Sequence, residues 1–372
     1  MSNTLGKAIR LTVFGESHGP CIGGVLDGIP AGLKIDTEYI KDELEKRKSI
    51  SSISTPRRED DEPVFISGIK DGVTEGTPLA FTIANKDVKS GDYEEMSKIA
   101  RPGHADYSAE MKYGGFQDAR GGGHFSGRLT AVIVTAGAIM KKALEDKGIV
   151  IASHIDELAG VKDVEFDFDR AEQEACALNK KIFACLSDEA AEAMITKVEE
   201  ARSDGDSVGG IIETVVLGLE PGIGEPIFSS AESELSAALF SIGGVKGVEF
   251  GRGFEIARMR GSEANDAFRM EGGKVVTSTN NNGGINGGIS NGMPVVFRTA
   301  VKPTPSISKE QETVDFRSME NATLSIKGRH DPAIVHRAVA VVNAVTALTM
   351  ADLICRRYGY IWFAEGNGEE DE

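Results

Sequence analysis

Apolar and polar positions follow two rhythms along the chain, which together predict a mixture of strands and helices. Runs rich in β-branched residues and bounded by turns predict strands at residues 8–14, 22–27, 64–68, 79–84, 209–219, 247–250, 274–277 and 294–300. Helical patterns predict helices at residues 37–46, 107–113, 127–147, 170–202, 230–241 and 333–358. Because strand-rich and helix-rich stretches alternate without regular βαβ spacing, an α+β fold is favoured over a doubly wound sheet.

Two helical segments stand apart from the rest. Residues 333–358 are apolar on more than one face, which predicts a buried helix. Residues 170–202 are the most polar helical region and form either an excursion from the main body or a peripheral hairpin. We predict a single large domain over residues 1–363, followed by an acidic, disordered tail over residues 364–372.

The most unusual feature of the amino-acid composition is its glycine content. The chain has 44 glycines in 372 residues, clustered between ordinary apolar segments, which indicates ordered tight loops. Its apolar runs are too short and interrupted to span a bilayer, and no signal peptide is evident, so we predict a cytoplasmic protein without membrane partners. The four cysteines lack C-x-x-C spacing, which predicts reduced thiols rather than a zinc site.

The formal charge of −17 disfavours binding to nucleic acid or to anionic membranes. An anionic ligand would therefore need a local concentration of basic residues. Such residues stand near the loops of interest and suit a small polyanion: Arg47, Lys48, Arg57, Arg58, Arg101, Arg120, Arg128 and Arg329.

The segment "LTVFGESHGP" contains G-x-S-x-G, the pattern of a serine hydrolase nucleophile elbow with Ser17 as nucleophile. An elbow needs a helix directly after the serine. The following "PCIGGVLDGIPAG" is too rich in proline and glycine to form one, which weakens this alternative. His18 and His104 each lie in a glycine-flanked turn, and histidine is suited to proton transfer near neutral pH.

Two further stretches have the character of an anion or cofactor cradle. "ARGGGHFSGRLTA" places three glycines, Ser126 and flanking arginines before an apolar helix, without the G-K-[ST] of a P-loop. The segment 302–306, "KPTPS", suits phosphate or flavin hydrogen bonds, with a structural polyproline corner as the competing interpretation.

In "GRHDPAIVHR", Pro332 is predicted at the first position of a helix, which makes Asp331 a helix cap, a carboxylate beside a reaction centre, or both. His330 and His336 are six residues apart, which does not suit a metal site, and no metal is predicted.

Taken together, these stretches resemble the chorismate synthase family. The matching blocks are "FGESHG", "GVLDGIPAG", "RPGHADY", "RGGGHFSGR", "GVEFGRGFE" with "GSEANDAF", "NNNGGINGGISNG", "KPTPSI" and "GRHDP", in order from about residue 5 to about residue 355. The resemblance implies a β-α-β sandwich, a homotetramer whose cofactor sites are partly built from neighbouring subunits, and reduced FMN as cofactor. It also implies conversion of 5-enolpyruvylshikimate 3-phosphate to chorismate by 1,4-anti elimination, with no net redox change.

The resemblance implies a role for each matching residue. His18 would protonate reduced flavin near N1, His104 would act as an acid or base, and Asp331 would assist removal of the C6 proton. Ser17 and Ser126 would support them by hydrogen bonds. FMN would be bound by His124, Phe125, Ser126, Gly243, Gly244, Gly287, Lys302, Pro303, Thr304, Pro305, Ser306 and Arg329. The substrate would be bound by Arg47, Arg57, Arg101, Arg128 and Arg329.

Four departures from the family pattern leave the proton-transfer residues in place. His124 stands where arginine is usual, and the next helix begins Gly127-Arg128-Leu129-Thr130 where A-R-E-T is usual. Ile53 stands where another arginine is frequent, and Gly243 where asparagine is frequent. They imply altered tuning of flavin affinity or of phosphate contacts. Arg47 matches a position linked to NADPH, but no dinucleotide fingerprint is present, which favours external reduced flavin. A non-catalytic flavin-binding module remains the alternative from another class.

Overall fold

The computed structural model of the chain describes residues 3–50, 53, 61–86, 98–326 and 331–364. Arg57, Arg329 and the predicted tail beyond residue 364 lie outside these ranges. The strands are β1 (Thr4–Leu5), β2 (Arg10–Gly15), β3 (Cys21–Asp27), β4 (Ala31–Lys34), β5 (Pro63–Ser67), β6 (Ile69–Lys70), β7 (Val73–Glu75), β8 (Leu79–Ala84), β9 (Val150–Leu158), β10 (Val161–Lys162), β11 (Gly210–Leu217), β12 (Val245–Phe250), β13 (Phe268–Glu271), β14 (Lys274–Thr277), β15 (Ile285–Asn286), β16 (Ile289–Ser290), β17 (Val295–Val301), β18 (Gln311–Asp315) and β19 (Glu320–Leu324).

The helices follow the same chain order. They are α1 (Thr37–Lys46), α2 (Asp106–Tyr113), α3 (Thr130–Glu145), α4 (Ala171–Leu178), α5 (Asp188–Ser203), α6 (Ala231–Leu239), α7 (Gly261–Ala264), α8 (Val335–Tyr358) and α9 (Ile361–Ala364). Short 3₁₀ turns over Arg120–Phe125 and Gly127–Leu129 lead directly into α3.

Two five-stranded antiparallel sheets enclose a helical layer. The first sheet has the order β1-β2-β3-β8-β5 and the second the order β10-β9-β11-β17-β12. Helix α3 packs on β2 and β3, whereas α8 packs on β9 and β11. This arrangement confirms the predicted α+β fold and the β-α-β sandwich of one large domain.

The two central helices cross closely. A Cβ added to Gly137 of α3 would lie 2.3 Å from the Cβ of Ala344 of α8, so glycine permits their contact. Helix α8 is long and apolar enough to cross a membrane, but its most apolar window is entirely buried. Because that window lies between the sheets, α8 is a core helix, and the prediction that it is buried is confirmed.

The predicted elements are present, but one of them is divided and several strands were not predicted. The region 170–202 divides into α4 and α5, which are joined by residues 179–187. Strand β9 was not predicted, although it lies inside the second sheet between β10 and β11.

His154 of β9 is buried between two carboxylates. Its Nδ1 lies 2.9 Å from Asp163 Oδ2 and its Nε2 lies 3.3 Å from Glu213 Oε1. Burial alone would lower the pKa of His154, but hydrogen bonds with Asp163 and Glu213 outweigh it and raise the pKa from 6.5 to about 9. Asp163 also accepts bonds from the amides of Leu186 and Ser187, at 2.6 and 3.0 Å. The imidazolium therefore ties the segment before α5 to the sheet.

We expect His154 to make stability depend on alkaline pH. Since its folded-state pKa is raised, its stabilisation is complete below pH 6.5 and is lost as the pH rises through about 9. The free energy of unfolding should fall by about 3 kcal/mol over that interval because of this residue. Urea unfolding of the wild type and of His154→Gln should show a stability gap that narrows from pH 6 to pH 9.5. A gap independent of pH would contradict this assignment.

Candidate active site

The loop after β2 holds Ser17 and His18 and leads into β3 rather than into a helix. Both side chains are buried, with relative exposures of 0% and 7%. The strand-turn-strand connection lacks the helix of a nucleophile elbow. Within the described part of the chain, Ser17 Oγ has no hydrogen-bond partner. The context of a serine nucleophile is therefore missing.

The glycine turn at Arg120–Phe125 packs directly on this loop. Ser17 N donates to Gly123 O at 3.1 Å. Gly121 and Gly122 have φ values of +58° and +85°, a conformation that glycine adopts without strain. A Cβ on Gly121 would lie 2.1 Å from His18 Cε1. Because Gly121 has no side chain, the His18 ring can pack against this turn.

His104 lies beside the next glycine of the same turn, Gly122. Its Nδ1 is 2.7 Å from Asp106 Oδ1, and the Arg101 guanidinium contacts both Asp106 oxygens at 2.7 Å. Burial would raise the pKa of Asp106, but hydrogen bonds from Arg101 and His104 outweigh it and hold that pKa well below its usual value. His104 Nδ1 also lies 3.0 Å from Arg101 Nη2, so Asp106 and Arg101 together hold this side of the ring. Nε2 then faces Gly122, whose added Cβ would lie 3.7 Å away.

A concave pocket opens beside His104. It is lined by Arg101, His104, Ala105, Asp106, Ala109, Gln117, Asp118, Ala119, Gly122, Phe125 and Phe316. Phe125 lies at the edge of this pocket, is 45% exposed, and makes an edge-to-face contact with Tyr113. Hydrogen bonds from Arg120 lower the pKa of Asp118, which keeps a negative charge on the side of the pocket near His18.

The segment 302–306 packs against the His104 loop. Lys302 Nζ donates to Gly103 O, and Arg101 Nη1 lies 3.5 Å from Ser306 Oγ. Lys302 N donates to Gly244 O at 2.9 Å, which brings the Gly243–Gly244 turn to the same place. A Cβ added to Gly243 would meet nothing within 4 Å. The structure thus places residues 302–306 and the Gly243–Gly244 turn beside the loop that holds His104.

His124 and Ser126 make local contacts. His124 Nδ1 lies 2.9 Å from Gly15 O, so this imidazole joins the glycine turn to the end of β2. Ser126 Oγ accepts from Arg128 N at 3.3 Å as the cap of the next turn. Ile53, where an arginine was expected from the resemblance, is fully buried in the hydrophobic core.

Gly287 belongs to a different turn from the other predicted cofactor residues. It lies in the turn between β15 and β16, where neighbouring Gly288 packs on Glu225 and Ser230. This turn precedes β17, whereas Lys302 follows it. A seven-residue strand spans about 20 Å, so the two predicted cofactor segments lie at opposite ends of β17.

Arg47 and Arg128 share a carboxylate that was not predicted from the sequence. Arg47 Nη2 contacts Asp61 Oδ2, and Arg128 Nη1 contacts Asp61 Oδ1. The three side chains are 7%, 4% and 1% exposed. Burial lowers the pKa of Arg47; burial would raise that of Asp61, but the two guanidiniums keep it low. Asp61 thus fixes the spacing of two predicted substrate-binding cations.

Removing the charge of Asp61 should destabilise the fold, because two buried guanidiniums would then face each other. We expect Asp61→Asn to lower the free energy of unfolding by about 3 kcal/mol, measured by urea unfolding. Asp27→Asn, at the exposed pair with Arg10, is the matched control and should cost less than about 1 kcal/mol. Equal effects of the two variants would contradict a buried structural role.

Asp331 precedes α8 but does not cap it. The helix begins at Val335 with Ile334 as its N-cap residue, so the prediction that Pro332 opens the helix and Asp331 caps it is wrong. Instead, Asp331 Oδ2 lies 2.6 Å from Arg337 Nη1. Arg337 was not singled out from the sequence, where it reads as an ordinary helix residue. Among the described residues, no group of three or more histidine, cysteine, aspartate or glutamate side chains is arranged to bind a metal ion.

Over almost its whole length the chain is similar to proteins of one family. The family model described as chorismate synthase matches residues 9–355. The chorismate synthase of Methanococcoides burtonii is 47% identical over 355 residues, which cover 95% of this chain and 96% of that protein. That of Pyrococcus abyssi is 48% identical over 353 residues, covering 95% and 98%. A crystal structure of a chorismate synthase superposes with a TM-score of 0.76 at 29% identity, covering 95% of this chain and 94% of the other.

Proposed function

Because the chain belongs to the chorismate synthase family of carbon–oxygen lyases that act on phosphates, we propose that it converts 5-enolpyruvylshikimate 3-phosphate to chorismate and phosphate with reduced FMN. One observation carries this proposal: two histidines lie beside adjacent glycines of one turn, His18 beside Gly121 and His104 beside Gly122. Such a pair suits a reaction that moves protons in a confined site.

The residues present fit a flavin mononucleotide. Within the described ranges, Ser17 Oγ and Thr304 Oγ1 are buried without hydrogen-bond partners. Lys302 adds a cation, and Gly243 leaves open space. Hydroxyls, backbone amides and a cation are the donors that a phosphate and a ring carbonyl require. We assign cofactor binding to residues 124–126, 243–244 and 302–306, together with Gly287 and Arg329.

The residues of this chain supply binding and proton handling. Reduced FMN, when bound, supplies transient electron donation to the allylic phosphate. Arg47, Arg101 and Arg128, with Arg57 and Arg329, bind the phosphate and carboxylates of the substrate and stabilise phosphate as it leaves. The C3–O bond breaks with its electron pair going to phosphate, and the C6 hydrogen leaves as a proton with the help of Asp331. His18 and His104 hold protons beside adjacent glycines of the turn.

A homotetramer follows from the same proposal, with sites completed by neighbouring subunits. The order of the chain supports it, because Gly287 lies in a turn before β17 and residues 302–306 follow that strand. Large exposed apolar side chains also support it: Phe228 is 92%, Phe254 80% and Phe268 64% exposed. We further propose a cytoplasmic enzyme that receives reduced flavin from an external reductase or from NADPH.

An anaerobic assay tests the proposed function. The purified protein is mixed with chemically reduced FMN and 5-enolpyruvylshikimate 3-phosphate, and chorismate is detected by its absorbance and by mass. Chorismate formation supports the lyase. Tight flavin binding without turnover would instead indicate the non-catalytic module. Omitting the reductant, then adding NADPH with and without oxygen, identifies the source of electrons.

Ser17→Ala separates a supporting hydroxyl from a nucleophile. We expect turnover to fall by less than about tenfold, because the Ser17 hydroxyl would supply one hydrogen bond to a bound group and no covalent bond. A covalent nucleophile would leave almost no activity. The measurement is kcat with saturating reduced FMN. Loss of nearly all activity, with flavin binding intact, would reopen the serine hydrolase alternative.

A further inference from the structure

The carboxylate of Asp331 is held by a side chain from the first turn of α8. Arg337 Nη1 lies 2.6 Å from Asp331 Oδ2, and the two side chains are 26% and 16% exposed. A partly shielded ion pair of this length is a charge-assisted hydrogen bond with a defined direction. Asp331 is therefore oriented by a partner six residues further along the chain.

The backbone around Asp331 is fixed independently of that bond. Pro332 O accepts from Val208 N at 2.8 Å, and Ala333 is fully buried. Helix α8 begins only at Val335, with Ile334 as its N-cap residue, so Asp331 lies in the loop that precedes the helix. Its main chain is thus anchored while its carboxylate takes its direction from Arg337.

Arg337 is itself anchored to Arg47, one of the proposed substrate-binding arginines. Its Nε donates to the backbone oxygen of Arg47 at 2.8 Å, and the side chain of Arg47 contacts Asp61. The bond from Nε to the backbone at the end of α1 restricts the rotation of the Arg337 guanidinium. It can therefore impose a geometry on the carboxylate that it binds.

We propose that Arg337 is a positioning residue for the reaction, one that orients the Asp331 carboxylate towards the carbon that loses a proton. This inference rests on the proposed function, in which Asp331 assists that proton transfer. Arg337 acts through Asp331 and touches neither the departing phosphate nor the proton. A misdirected carboxylate would slow the chemical step while leaving substrate binding largely intact.

A purely structural role is the competing explanation, because Arg337 also joins α8 to the end of α1. The two roles differ in how mutations combine. If Arg337 acts through Asp331, its loss has no further effect once the carboxylate is gone. If Arg337 only supports the fold, its effect adds in full to that of any change at Asp331.

The test compares Asp331→Asn, Arg337→Met, the double variant and Arg337→Lys in the full-length protein with saturating reduced FMN. We expect Arg337→Met to lower kcat about tenfold to hundredfold, with KM changed less than about threefold. The double variant should be no slower than Asp331→Asn. Lysine keeps the charge and should recover part of the loss. Arg356→Met, at the other end of α8 where Arg356 pairs with Glu234 at 3.1 Å, is the matched control and should keep wild-type kcat.

Each outcome decides one question. A double variant that is slower by the product of the two single effects would overturn the positioning role, as would an unimpaired Asp331→Asn. If Arg337→Met does not fold, judged by its melting curve, Arg337→Lys alone and combined with Asp331→Asn gives the same comparison. Absence of chorismate formation by the wild type would contradict the proposed function instead.

Discussion

Replacement of His104 by alanine is expected to reduce turnover at least about a hundredfold, the contribution typical of a general acid or base. The contacts of His104 Nδ1 with Asp106 and Arg101 hold the ring with Nε2 towards the glycine turn. Alanine removes that nitrogen, whereas Arg101 keeps its two bonds to Asp106 and holds the loop. The measurement is kcat under anaerobic conditions with saturating reduced FMN.

His154→Gln is the matched control for this experiment. His154 also pairs through Nδ1 with an aspartate, at 2.9 Å, but it lies in the second sheet, away from the glycine turn. Its replacement should lower stability and keep kcat near the wild-type value at a permissive temperature. Near-wild-type turnover in His104→Ala would remove His104 from the proton-transfer steps.

The regular elements were predictable where the pattern along the chain matched their period. The predicted helix at 37–46 coincides with α1, which is capped by Asp36, and the predicted strand at 79–84 coincides with β8. Strand β9 was not predicted, because Ser153 and His154 interrupt its apolar run. Their burial is possible only through partners distant in sequence, such as Asn343, which accepts from Ser153 Oγ at 2.6 Å.

The candidate site was likewise predictable only in part. Its loops were predictable because glycine, proline and histidine mark tight turns that hold chemical groups. Asp61 was not predictable, because in "RREDDEP" it reads as part of a solvated run of charges. Its burial between Arg47 and Arg128 arises only when α1, α3 and the approach to β5 meet.

The shared contact with Asp61 also lowers the net positive charge that Arg47 and Arg128 present to a ligand. From the sequence alone, Arg47 and Arg128 count as two free cations for a polyanion. In the structure they share one negative charge, so the pair carries one net positive charge where it meets a ligand. The local positive field that a chain of charge −17 needs must then depend also on Arg101 and on arginines such as Arg57 and Arg329.

Gly121→Ala is expected to reduce kcat about a hundredfold or more, because it displaces the His18 imidazole. The added Cβ would lie 2.1 Å from His18 Cε1, 2.3 Å from Nδ1 and 3.1 Å from Ser17 Oγ. The φ of +58° at Gly121 adds backbone strain for alanine. Since His18 is only 7% exposed, its ring would have to move within the packed interior to avoid this contact.

Gly127→Ala is the matched control, because it lies six residues further along the same segment and its added Cβ would meet nothing within 4 Å. That variant should keep wild-type kcat and thermal stability. If Gly121→Ala acts by displacing His18, combining it with His18→Ala should give a protein no slower than the slower single variant. Full activity in Gly121→Ala would mean that proton transfer does not depend on where the glycine turn holds His18.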